Sequence, residues 1–63
     1  MKLQFNRVED ELGVKVTVTN KDTNDVIGYI TNDPWCFSSL GGSDFFTGNN
    51  RVNVERQIRK HYV

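Results

Sequence analysis

The sequence predicts an α+β domain, an antiparallel meander of three or four strands with one C-terminal helix packed across one face. Three observations carry that reading. Val14, Val16 and Val18 alternate with Lys15, Thr17 and Thr19, the period of two expected of a half-buried strand. The polar run 20–25 (N-K-D-T-N-D) separates these valines from a second β-branched and aromatic stretch at 26–30. Asn and Asp tolerate left-handed backbone and bond their own main chain, so the two apolar stretches form a hairpin. Val54, Ile58 and Tyr62 then recur at i, i+4 and i+8, a narrow apolar stripe on a helix of about three turns. With 63 residues, the chain forms one small domain, 1–63.

In chain order, residues 2–8 read as a first strand with Leu3 and Phe5 on one face. Residues 9–13 (E-D-E-L-G) read as a turn whose three carboxylates are solvated and guard a sheet edge. A cation-binding knuckle is the rival, but consecutive carboxylates lack the spaced ligands of an EF-hand loop. In the second hairpin strand, Gly28 marks either a bulge or a place where a ring, Trp35 or Phe37, lies over the backbone. Simple alternation puts Val26 and Ile30 on one face of that strand and Ile27 and Tyr29 on the other. Residues 31–34 (T-N-D-P) break it, because Pro34 has no N–H for a ladder and holds Asp33 extended. Trp35, Cys36 and Phe37 read as a short fourth strand with Trp35 and Phe37 facing the same way. Residues 38–50 form a long irregular segment, of a length that tends to be functional. The adjacent Phe45 and Phe46 within it need somewhere to go, and one of them is expected to tuck inward. Asn49 or Asn50 supplies the helix N-cap, and Arg59, Lys60 and His61 suit the negative end of the helix dipole.

Composition sets the limits on function. A chain this short buries only about 60% of the surface its unfolded form exposes, so its stability margin is thin. Cys36 is the lone cysteine, which excludes an intramolecular disulfide and fits a reducing cytosolic compartment. One Cys and one His cannot build a zinc site in a monomer. No apolar run approaches the roughly 20 residues of a membrane span, and no secretory leader is visible, so a cytoplasmic protein is expected. The formal charge is zero but unevenly placed. Residues 1–50 hold four cations against seven carboxylates, whereas residues 51–63 hold Arg51, Arg56, Arg59 and Lys60 against Glu55 alone.

No catalytic chemistry is legible. His61 stands in the last helical turn, where fraying spoils the positioning that acid–base catalysis needs. Cys36 reads as a small buried hydrophobe. No nucleophile elbow, phosphate loop or dinucleotide fingerprint occurs. No enzyme activity and no cofactor are expected. A binding module remains, because one short helix covers only one side of a sheet whose third strand carries bulk on both faces. A contiguous apolar patch of that kind marks an interaction site, and aromatic residues and Arg dominate binding energy at interfaces.

The pattern I-G-Y-I, W-C-F, F-F-T-G and V-x-x-x-I-R, spread over residues 26–60, resembles small phage and prophage accessory proteins. Their strand ending in Gly-aromatic-Ile is followed by a Trp-x-aromatic strand, a loop with Thr and a C-terminal helix. Val54 departs from that pattern, which would place Leu there. The resemblance implies a protein that occludes a host protein or nucleoprotein complex, as inhibitors of host defence or transcription do, and it supplies no functional residue. From the residues themselves, the candidate contacts are Tyr29, Trp35, Phe45 and Phe46, with Arg56 and Arg59 at the margin. The rival readings are a nucleic-acid binder using the basic helix and a structural homodimer. Direct nucleic-acid binding is not expected, since only two or three of the helix cations can face one way.

Overall fold

The computed structural model describes residues 1–32 and 34–62. Among these residues it contains β1 (Leu3–Asp10), β2 (Gly13–Asn20), β3 (Asp25–Thr31), β4 (Cys36–Ser39), β5 (Phe45–Thr47) and α1 (Arg51–Tyr62). The strands form one antiparallel sheet in the order β1-β2-β3-β4-β5, each paired with its predecessor in the chain. The α+β class, the antiparallel meander and the C-terminal helix are as the sequence predicts. The sheet has one strand more than the upper expected count, because the 38–50 segment contains β5. The expectation for Asp33 lies outside the described residues.

The turns follow from local chemistry. Asn20 accepts the Asp22 N–H on its side chain at 3.0 Å and the Asn24 N–H on its carbonyl at 2.7 Å. Asn24 takes a φ of +64°, the left-handed region that Asn enters more readily than most residues. The first turn is tighter than expected. Glu9 and Asp10 pair with Val14 and Gly13, so only Glu11 and Leu12 form the loop. The Asp10 carboxylate accepts the Leu12 N–H at 2.9 Å, which spends one acid of the cluster on the turn itself.

Alternation sorts the sheet into two faces. Val16 and Val18 point inward and are fully buried together with Ile30, Phe37, Val54 and Ile58. Leu3, Phe5, Ile27, Trp35, Phe46 and Tyr62 pack around them. In β3 the simple alternation fails. Val18 pairs with Gly28 but Thr19 pairs with Val26, a bulge that leaves Ile27 as the extra residue. Ile27 therefore packs against the core and Val26 moves to the outer face beside Thr19, the reverse of the expected arrangement. Gly28 is required by close approach. A Cβ there would lie 2.7 Å from Phe37 Cε1 and would press on the Ser38 carbonyl oxygen. Phe37 is thus the ring that lies over the glycine.

The helix covers the inner face. Asn50 is its N-cap, the side-chain oxygen accepting the Asn53 N–H at 2.8 Å. The ring of Phe37 stacks on Phe46 at 5.7 Å and meets Tyr62 edge-on at 6.2 Å, joining β4, β5 and the last helical turn.

Candidate functional site

The outer face of the sheet carries no covering element among the described residues. Cross-strand pairing arranges its side chains in rows. One row runs Asn6, Thr17, Tyr29, Ser38, Phe45, and the next runs Val8, Lys15, Thr31, Cys36, Thr47. Phe45 is 62% exposed. Tyr29 stands two strands away in the same row and is half-buried. Lys15 Nζ sits 4.5 Å from the centre of its ring, so a cation caps one side of the aromatic surface. Thr31 Oγ1 and Cys36 Sγ lie 3.3 Å apart. The surface is aromatic at one end, threonine-rich in the middle and cationic beside the tyrosine.

The six candidate contacts fall in different places. Tyr29 and Phe45 share the open face. Phe46 lies on the opposite face, between Phe37 and the edge of His61 at 5.4 Å. Trp35 is half-buried against the core and does not extend the outer aromatic surface. Arg56 is exposed on the helix, and the Arg59 guanidinium lies over the Phe5 ring at 4.8 Å. The adjacent phenylalanines separate because successive residues of a strand face opposite ways.

A second constellation gathers around Asp44. Its carboxylate accepts the Tyr62 hydroxyl at 2.6 Å and stands 3.5 Å from His61 Nε2. Its backbone N–H donates to Ser39 Oγ at 3.0 Å. Burial, and then the carboxylate that accepts its proton, push the Tyr62 hydroxyl up to about 12. The arrangement clasps the β4–β5 loop to the end of the helix. Beside it, Phe46, Gln57, Lys60 and His61 line an open hollow of about 480 Å³. A hollow of the same volume opens beneath the β1–β2 turn, lined by Asp10, Leu12, Lys15 and Thr31 among others.

Neither this clasp nor the cationic partner of Tyr29 is legible in the sequence. Lys15 was legible as an outward residue of β2, but its place over Tyr29 depends on pairing register. Asp44 and Tyr62 share no motif, and only the three-dimensional path of the β4–β5 loop brings them together. Among the described residues, no three His, Cys, Asp or Glu side chains converge on a possible metal position. No described helix is long and apolar enough to cross a membrane. Comparison with protein-family models, curated proteins and solved structures gave no match.

Proposed function

We infer that this chain is a non-enzymatic binding protein that acts by occupying a partner's surface, using the open face of its sheet. The observation that carries the reading is the row that holds an exposed Phe45 and the lysine-capped Tyr29 on a face that no element covers among the described residues. Aromatic side chains at such positions supply most of the binding energy of an interface. The partner class is a host protein or nucleoprotein complex, as the likeness to phage accessory proteins implies. Protein is favoured over bare nucleic acid by the helix charges. Arg51 is held by Glu55 at 2.5 Å and Arg59 lies on Phe5, which leaves Arg56 and Lys60 without an ion-pair partner among the described residues.

The test is a photo-crosslinking residue placed at position 45, and separately at position 56, followed by mass spectrometry of the captured host protein. Binding of that protein is then measured with Phe45→Ser, Tyr29→Ala and the double variant R56A/R59A. The open-face variants should weaken binding by tenfold or more, and the double arginine variant by much less. Capture only from position 56, or a tight duplex shift abolished by R56A/R59A, would transfer the function to the helix.

A further inference from the structure

We propose that two copies of this chain pair through the free edge of β1, antiparallel and with the two-fold axis at Asn6. The Lys21 N–H donates to the Lys2 carbonyl at 2.8 Å. In an antiparallel ladder, inward and outward groups alternate residue by residue. Gln4, Asn6, Val8 and Asp10 therefore turn their backbone toward β2, and Leu3, Phe5, Arg7 and Glu9 turn theirs outward. β1 has no proline, and its eight-residue pairing with β2 runs without a register break. Such an edge is a template for another strand.

The opposite edge offers much less. β5 is three residues long, and its Thr47 carbonyl already accepts the Gln57 side-chain amide at 2.7 Å.

The outward groups also fix the register. An antiparallel partner must match outward residues with outward residues, which keeps the inner faces of both copies on one side. With the axis at Asn6, Leu3 meets the partner's Glu9 and Phe5 meets the partner's Arg7, so every outward group is used. Lys2 then stands opposite the partner's Asp10, a cation against a carboxylate, twice over by symmetry. Moving the axis to Arg7 brings that arginine against the partner's Arg7. Moving it to Phe5 carries Glu9 past the strand. The helix backbone lies nearest β4 and β5, and its Arg59 guanidinium reaches across the inner face to the ring of Phe5. The result is a ten-stranded sheet with both helices on one face and two copies of the outer surface on the other. This contact does not depend on what the outer surface binds.

Asn6 and the partner's Asn6 would face each other in a non-hydrogen-bonded pair, about 4.5 Å between Cα atoms, close enough for a disulfide. The experiment is a cysteine series in a Cys36→Ser background, oxidised mildly with diamide. Asn6→Cys should give a covalent dimer, whereas Gln4→Cys or Val8→Cys alone should not, and mixing those two variants should. The unmodified chain should sediment at tens of micromolar with twice the 7.3 kDa of one chain. Lys2→Asp should weaken the dimer by roughly tenfold, and adding Asp10→Lys should restore it. A monomer at the highest soluble concentration overturns the proposal, as does a dimer that crosslinks equally well at 4, 6 and 8.

Discussion

The two faces of the sheet are built from the same strands yet follow different rules. On the covered face, Val16, Val18, Ile30 and Phe37 meet Val54 and Ile58 of the helix with no exposure, and even a methyl group has no room at Gly28. On the open face, Thr17, Thr31, Ser38, Thr47 and Phe45 stand in rows with solvent above them. The covered face is constrained by shape. The open face is constrained by solubility and by whatever comes to rest on it, and it carries Phe45 at 62% exposure.

Substitutions on the covered face should be the most damaging. Ile58→Ala should cost about 2–4 kcal/mol, the range for a large-to-small change in a core. In so small a domain that approaches the whole stability margin. A thermal melt unchanged by Ile58→Ala would remove the distinction between the faces. Gly28→Ala should cost about 1–3 kcal/mol through overpacking, because Phe37 and the backbone of Ser38 must both move. Chemical denaturation compared with Val26→Ala on the open face would show whether that cost belongs to the inner side.

The clasp at the rim of the covered face comes next. Tyr62→Phe should cost about 1 kcal/mol, the usual net value of a hydrogen bond that is not deeply buried. The folded state holds the Tyr62 proton more tightly than the unfolded state, since burial and Asp44 raise its value from 10.0 to about 12. Its contribution is therefore fully present below pH 10 and is lost as pH rises through about 12. Melts across that interval should show wild type losing more stability than Tyr62→Phe. The smallest effect on stability should come from Phe45→Ser, within about 0.5 kcal/mol. A large drop in its melting temperature would mean that the open face is structural after all.

Much of this division was legible in the sequence. The valines of β2 announced both faces by strict alternation, and the helix stripe named Val54, Ile58 and Tyr62. Asn24 and Asn50 did what their residue types suggest. What escaped depended on neighbours. β5 escaped because three residues among Gly, Ser and Asn are too few to show a period, and Phe45–Thr47 become a strand only by pairing with β4. The β3 bulge escaped because the mismatch of register belongs to two strands jointly, so Ile27 and Val26 exchanged faces. Glu9 and Asp10 looked like loop by composition but pair with Val14 and Gly13. For the candidate contacts, residue type alone could not separate an aromatic ring that packs, Trp35 or Phe46, from one that protrudes, Phe45.

Strand order also sets the tempo of folding. Every strand pairs with the one before it, across connections of two to five residues, so each pairing closes only a short loop. Closure entropy is correspondingly small, and chains dominated by such local contacts fold fast. The helix is the exception, since it comes last and must return over strands already formed. Until residues 51–62 dock on the sheet, Val16, Val18, Ile30 and Phe37 stand uncovered. Speed resides in the hairpins and permanence in the helix, and the interval between them is when this protein is most open to misassociation.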